Sequence, residues 1–372
     1  MLRTYAKGKT MKSRCVLIAA GGTGGHVFPG IAVAHALKRA GITVVWIGSQ
    51  GGMEQQWIEK EAIPLTLINV QGLRGKSLLK RGAAFFNLFS AFFQAVSALK
   101  NIRPDAVLCM GGFVSGPAGL AAKYLAIPLA IHEQNAISGM TNRVLSYIAH
   151  KVFIAFPKTK GLNLTEKVIF TGNPVREAIM NLPLPSFRFK GRKAVLTILV
   201  LGGSRGAQAL NESVPIVLSR MSCHLSVIHQ CGAQADIPSI KAAYKGSHLL
   251  VDVTPFIDDM AAAYARADLV ICRAGALTLS ELMSAGLGAV LVPYPHAVDD
   301  HQTHNAAILV DAKAGIIWQQ HESIDLLSEK LKPLLNRDEL LAMAERARKL
   351  ANPKTVQIVT ETLMEIMNDC RH

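Results

Sequence analysis

Two glycine clusters occupy matching places in the two halves of this chain. Gly21-Gly22-Thr23-Gly24-Gly25-His26 follows the apolar run Cys15 to Ala20, and Gly202-Gly203-Ser204-Arg205-Gly206 follows Thr197 to Leu201. Each reads as a strand, a turn with no room for side chains, and the start of a helix. Unpaired N–H groups at a helix start attract anions, since the free donors and the helix dipole both favour negative charge there. Two such turns in one chain predict two phosphorylated ligands meeting between two domains.

The rest of the pattern agrees. Apolar runs at Cys15 to Ala20, Thr43 to Ser49, Leu65 to Val70, Asp105 to Met110, Pro128 to His132, Val152 to Phe156 and Val168 to Thr171 read as strands, with helical stretches between most of them. The second half repeats this at Thr197 to Leu201, Leu225 to Gln230, Leu249 to Val253, Leu269 to Cys272 and Ala289 to Val292. Such alternation predicts an α/β fold of two doubly wound, Rossmann-like domains with mainly parallel sheets. A chain of 372 residues, 50% of them hydrophobic, can give each domain its own core. The proline-rich and basic stretch from Asn173 to Lys193 reads as the linker, and Ser323 to Leu335, Asp338 to Ala351 and Val356 to Asn368 read as closing helices.

Charge is lopsided. Residues 1–176 hold 21 Lys and Arg against 6 Asp and Glu, whereas residues 177–372 hold 19 against 20, so the first half carries essentially all of the net +14. A basic domain fits nucleic acid, anionic lipid or an acidic ligand, or simply a solvated face. Aromatics are only 6% of the chain and no nucleic-acid module signature accompanies the charge, which ranks a membrane surface above nucleic acid. The stretch Ala83 to Leu99 supports that ranking. Its phenylalanines at 85, 86, 89, 92 and 93 leave only a narrow polar stripe of Asn87, Ser90, Gln94, Ser97 and Asn101, and Lys76, Lys80 and Arg81 stand at its approach. It is too short for a span, and it predicts an amphipathic helix with part of its apolar arc exposed as an interfacial anchor. The six cysteines form no C-x-x-C and read as small buried hydrophobes of a reducing compartment. The expectation is a cytoplasmic protein with Met1 to Lys12 as a loose tail.

Several familiar motifs fail. Counting from Gly22, the third glycine of G-x-G-x-x-G falls on Val27, and the second strand ends Trp46-Ile47-Gly48-Ser49-Gln50 without the acid that would hold a ribose hydroxyl, so NAD is not expected. Gly75-Lys76-Ser77 lacks the first glycine of a P-loop, which falls on Val70. No histidine or cysteine cluster has zinc-ligand spacing, and no D-x-D triplet occurs.

Six segments, the two glycine clusters among them, occur in order: Gly21 to Gly30 (GGTGGHVFPG), Gly111 to Pro117 (GGFVSGP), His132-Glu133-Gln134-Asn135, Gly172 to Arg176 (GNPVR), Gly202 to Ala207 (GGSRGA) and Ala276 to Glu281 (ALTLSE). Together, from about Cys15 to beyond Asn305, they resemble the MurG family of peptidoglycan glycosyltransferases. The resemblance implies a GT-B fold, two Rossmann-like domains facing across a cleft: residues 1–176 as the acceptor and membrane-associating domain, residues 177–353 as the UDP-GlcNAc-binding domain, and a last helix, 354–372, crossing back to the first. It implies an inverting transfer without metal or other cofactor, from UDP-N-acetylglucosamine to the 4-hydroxyl of the muramyl sugar of lipid I, on the cytoplasmic face of the inner membrane beside anionic lipids.

The same resemblance assigns residues. Ser204 and Arg176 contact the nucleotide diphosphate, Glu281 accepts from the ribose hydroxyls, and Ile257 meets the uracil through its backbone. Ala276, Leu277, Thr278, Leu279 and Ser280 precede Glu281 in the nucleotide motif. Gln302 reads hydroxyls of the transferred sugar, with His301 as the alternative, and Thr23, Gly24, Gly25 and Asn135 approach that sugar from the other domain. His26, whose ordinary pKa lies near neutrality, is the candidate general base, with helix capping or loop orientation as its competing role. The rival readings are another GT-B enzyme, such as a UDP-N-acetylglucosamine epimerase or a different lipid glycosyltransferase, and a sugar-nucleotide sensor without chemistry.

Overall fold

The computed structural model describes residues 14–70, 78–163, 165–192, 195–203 and 206–369, with the side chains of residues 78–86 left out. Met1 to Lys12, Gly75-Lys76-Ser77, Ser204 and the side chains of Lys80, Arg81, Phe85 and Phe86 therefore lie outside the described residues. The first sheet contains β1 (Cys15–Ala20), β2 (Thr43–Ser49), β3 (Leu65–Ile68), β4 (Ala106–Gly111), β5 (Leu129–Glu133), β6 (Lys151–Ile154) and β7 (Val168–Phe170), in the order β3-β2-β1-β4-β5-β6-β7. The second contains β8 (Leu196–Leu201), β9 (Leu225–Gln230), β10 (Leu250–Thr254), β11 (Leu269–Cys272), β12 (Gly288–Leu291) and β13 (Gly315–Ile317), in the order β10-β9-β8-β11-β12-β13.

Every pairing is parallel. Helices cover both faces, so β1, β4, β5, β11 and β12 are buried at every residue, which is why they read as unbroken apolar runs. The sequence reading missed β13, which is short and becomes a strand through its pairing with β12.

The first lobe carries α1 (Gly24–Arg39), α2 (Glu54–Lys60), α3 (Leu78–Ile102), α4 (Ser115–Tyr124) and α5 (Met140–Ile148). After them come α6 (Glu177–Met180), α7 (Pro185–Phe189), α8 (Gln208–Ser219), α9 (Ile237–Ala243), α10 (Met260–Arg266), α11 (Ala276–Ala285), α12 (His301–Asp311), α13 (Ile324–Leu331), α14 (Arg337–Lys349) and α15 (Thr355–Asp369). Val359, Leu363, Ile366 and Met367 of α15 enter the core of the first sheet beside Val27, Ile31 and Leu37 of α1. The segment expected as a linker is more ordered than its composition implies. Phe189 is buried, and the buried Arg188 guanidinium donates to the carbonyls of Pro183, Tyr264, Ala285 and Gly286, so α7 is clamped onto the second lobe.

In each sheet the strand order reverses beside the first strand, between β1 and β4 and between β8 and β11. Ligands of open α/β sheets bind outside the carboxyl ends of the strands at such a reversal. The two glycine turns follow β1 and β8, so both stand at the reversal points.

Two buried histidines make the fold acid-sensitive. His132 on β5 contacts the Gly172 carbonyl through Nε2 at 3.0 Å, and His229 on β9 contacts Tyr244 Oη at 3.0 Å and Asn211 Oδ1 at 3.1 Å. Burial pushes each imidazole down from 6.5 to about 4. Between these values the unfolded chain binds more protons than the folded one, so the stability these groups contribute is complete above pH 6.5 and falls as pH drops toward 4. The melting temperature is expected to fall over that window, and His229→Gln to flatten part of the slope; a melting temperature constant from pH 7 to 4.5 contradicts this.

Candidate active site

A cleft of about 650 Å³ between the lobes gathers most of the expected residues. Thr23, Gly24, Gly25, His26 and Asn135 line it from the first lobe, Arg176 from the joint, and Ile257, Ala276, Leu277, Thr278, Glu281, His301 and Gln302 from the second. Two expected residues do not line it. Leu279 is fully buried in the apolar core, and the Ser280 hydroxyl is spent on the Ala276 carbonyl and on Asn173. Successive side chains of a helix diverge by 100°, so a contiguous motif cannot place every member on one face. Ser204 lies outside the described residues.

His26 stands in the first turn of α1, half-buried, with Nδ1 3.3 Å from the Gly21 carbonyl. A carbonyl only accepts, so this contact places the proton on Nδ1 and leaves Nε2 as a free base. Burial lowers the His26 pKa below 6.5; the Glu133 carboxylate and the Gly21 carbonyl act against that, and His301 adds to it. The ring needs the glycine that ends β4. Gly111 has φ +104°, and a Cβ there would lie 2.6 Å from His26 Cδ2. Gly112, at φ +80°, would drive a Cβ to 2.2 Å from the Gly21 carbonyl oxygen.

Both glycine turns differ from the simple anion cradles their sequences predict. In the first, the fully buried Glu54 carboxylate accepts from Gly22 N–H at 3.1 Å and Ser49 N–H at 2.7 Å. A negative charge beside Gly22 opposes a second one there, which leaves Thr23 to Gly25 as the part suited to an anion. In the second, Gly202 N–H donates to the Gln230 carbonyl, Gly203 N–H to Gln230 Oε1 and Gly206 N–H to the Gly203 carbonyl, at 2.9 to 3.0 Å. Those donors are consumed by Gln230 of β9 and by the turn itself. The first turn of α11 is better placed, because no side chain caps it at Gly275 and Ala276, Leu277 and Thr278 line the cleft.

The two charged nucleotide candidates touch each other. Arg176 Nη2 donates to Glu281 Oε1 at 2.8 Å, while Tyr264 Oη donates to Glu281 Oε2 at 3.0 Å. The Arg176 guanidinium also lies 5.0 Å from the centre of the Phe28 ring, and its buried Nε has no acceptor. Sequence reasoning missed Tyr264, because a tyrosine in an alanine-rich helix carries no local sign of a partner 17 residues away.

Gln302 Oε1 accepts from Tyr294 N–H at 2.9 Å, which leaves Nε2 as its ligand-binding donor. His301 also lines the cleft and uses Nδ1 on the Val298 carbonyl at 2.7 Å. Glu133, nearly fully buried, accepts from the N–H groups of Asn135 and Gly139 and from Asn142 Nδ2 at 2.9 to 3.0 Å, fixing the chain on which Asn135 is carried. Among the described residues, no three His, Cys, Asp or Glu side chains are grouped as metal ligands.

Comparison with known proteins gives this cleft a family. Residues 16–154 match the glycosyltransferase family 28 N-terminal domain and residues 197–359 match the family's C-terminal domain. A crystal structure of Acinetobacter baumannii MurG aligns with a TM-score of 0.81 at 42% identity, covering 95% of this chain and 99% of that one. The chain belongs to the MurG group of glycosyltransferase family 28. Its fold is accordingly GT-B. Within the family, the chain is 46% identical over 361 residues to a UDP-N-acetylglucosamine--N-acetylmuramyl-(pentapeptide) pyrophosphoryl-undecaprenol N-acetylglucosamine transferase of Cupriavidus pinatubonensis, covering 96% of this chain and 99% of the relative. A transferase of the same name from Marinobacter nauticus is 48% identical over 359 residues, covering 95% and 98%.

Proposed function

We infer that this protein transfers N-acetylglucosamine from UDP-N-acetylglucosamine to the muramyl sugar of lipid I, giving lipid II and UDP in peptidoglycan synthesis. The observation that carries the reading is the cleft itself, which sets a neutral imidazole in one lobe opposite the uncapped start of α11 in the other. Single displacement with inversion needs a base on one side of the sugar carbon and anion stabilisation on the other.

The reaction follows from these positions. His26 Nε2 takes the proton of the acceptor 4-hydroxyl as its oxygen bonds to the sugar C1, and the bond from C1 to the UDP oxygen breaks. Negative charge grows on the diphosphate, where the α11 start and Arg176 stabilise it. Glu133 supports the imidazolium that forms. Glu281 holds the ribose, Ile257 the base, and Gln302 and Asn135 the transferred sugar. The nucleotide replaces the Arg176–Glu281 pair, giving the carboxylate the ribose hydroxyls and the guanidinium a phosphate.

We place residues 1–176 with the returning segment 354–372, which contains α15, in the acceptor domain and residues 177–353 in the nucleotide domain. Phe89 and Phe93 of α3, Tyr124 of α4, and Met140 and Tyr147 of α5 are exposed on the basic first lobe, while small residues such as Ala91, Ala95 and Ala98 face the sheet. No helix among the described residues is long and apolar enough to cross a membrane. This surface suits peripheral docking on anionic lipid at the cytoplasmic face of the inner membrane.

A transfer assay with labelled UDP-N-acetylglucosamine and lipid I is expected to yield labelled lipid II, with UDP-glucose a poor donor. A C2 epimer formed without lipid favours the epimerase reading instead, and nucleotide binding without any product favours a sensor. Co-sedimentation with anionic vesicles is expected to weaken roughly tenfold or more in Phe89→Ser/Phe93→Ser; unchanged binding removes α3 from the docking surface.

A further inference from the structure

We propose that Asn305 is a positioning residue of the transfer, bolting α12 of the nucleotide lobe to the Asn135–Ala136 segment of the acceptor lobe. The proposal rests on the reading above, in which Gln302 and Asn135 hold the transferred sugar from opposite sides.

Asn305 is fully buried, one helical turn beyond Gln302. Its Oδ1 accepts from Ala136 N–H across the cleft at 2.8 Å. Its Nδ2 donates to Asn135 Oδ1, also across the cleft, and to the Ala274 carbonyl just ahead of α11, both at 3.3 Å. One amide thus fills its acceptor and both donor positions, and ties together three segments of the site.

Chemistry makes the arrangement specific. Ala136 N–H needs an acceptor where the Ala274 carbonyl and Asn135 Oδ1 each need a donor, and a side-chain amide supplies one acceptor and two donors from one atom group, which a single hydroxyl proton cannot. The contact also decides which way Asn135 faces. Asn135 sends N–H and Nδ2 to Glu133 Oε1, at 2.9 and 3.3 Å, while its Oδ1 meets Asn305. With the oxygen held there, the second Nδ2 proton is the group Asn135 can offer a sugar. Gln302 is in turn held by Tyr294 N–H, so the two sugar-reading amides are referred to one another through Asn305.

A residue serving only to fill the core would not need this. Its neighbours Ala306 and Leu309 are apolar members of the core, and an apolar side chain at 305 would pack beside them. The amide instead carries the register between lobes. An error of about 1 Å in such a register can cost on the order of 100-fold in rate.

The test uses the full chain with lipid I and both sugar nucleotides. In Asn305→Leu, kcat is expected to fall about 30- to 100-fold and the preference for UDP-N-acetylglucosamine over UDP-glucose to shrink, while the calorimetric Kd for UDP stays within about threefold because Arg176 and Glu281, the charged nucleotide contacts, are held by each other and by Tyr264 rather than by Asn305. Asn305→Asp is measured beside it. It keeps the oxygen for Ala136 N–H but turns a second lone-pair oxygen on Ala274 and Asn135, so it is expected to fall as far, and it decides the matter should the leucine protein not fold. A role in stability alone lowers the melting temperature and leaves kcat and donor preference unchanged, and that outcome overturns the proposal. An unaltered protein that takes up no UDP and transfers no sugar overturns the functional reading instead.

Discussion

The His26→Ala protein is expected to turn over about two to four orders of magnitude more slowly than the unaltered protein, with its affinity for UDP unchanged. The expectation follows from the tautomer, since the Gly21 carbonyl holds the Nδ1 proton and leaves Nε2 as the basic atom in the cleft. A loss under tenfold assigns His26 to helix capping or loop orientation. The pH profile gives a second reading. Burial lowers the His26 pKa below 6.5, so the acid limb of kcat/KM should lie below that value, with activity lost as pH falls through it and the base is protonated. Glu133 opposes that lowering, so Glu133→Gln should move the limb to still lower pH. A limb that moves upward in this variant contradicts the electrostatic role.

Removal of Glu281 should be nearly as costly. Its two oxygens are shared between Arg176 and Tyr264, and the nucleotide must take over the Arg176 side. Each hydrogen bond to a charged group contributes about 1.5 to 3 kcal/mol, so Glu281→Ala is expected to lower kcat/KM for UDP-N-acetylglucosamine by roughly 100-fold or more. Glu281→Gln, which still accepts from Tyr264, should lose less. The exchange also predicts that UDP binds far more tightly than uridine. Uridine breaks the ion pair and leaves Arg176 without a partner, whereas UDP supplies one. Calorimetry with both ligands checks this, and an Arg176→Ala protein that keeps the full preference for UDP removes the arginine from the phosphate site.

Much of the cleft lining was legible because its signals are local. His26, Arg176, Glu281 and Gln302 stand within a few residues of turns or motifs, and all four line the cleft. What the chain did not show was which donors those turns keep. Glu54 reaches Gly22 from 32 residues away and Gln230 reaches Gly203 from 27 away, and each consumes a backbone N–H that the glycine pattern alone offers to a ligand. Tyr264 and Asn305 were hidden for the same reason. Nothing near them in the chain marks a partner 17 or 170 residues away.

Strand-by-strand periodicity determined the two-lobed α/β architecture, since strands buried on both faces must be apolar throughout and each needs its covering helix. The order of elements likewise placed a glycine turn after the first strand of each sheet. Tertiary structure alone decided the charge pairing of Arg176 with Glu281, the tautomer of His26 and the amide joint at Asn305. Each depends on atoms brought within about 3 Å only by the folded chain, from segments more than 100 residues apart for the ion pair and the amide joint and across the bend of the glycine turn for His26, and a hydrogen bond has no signature in a chain until both of its ends are in place.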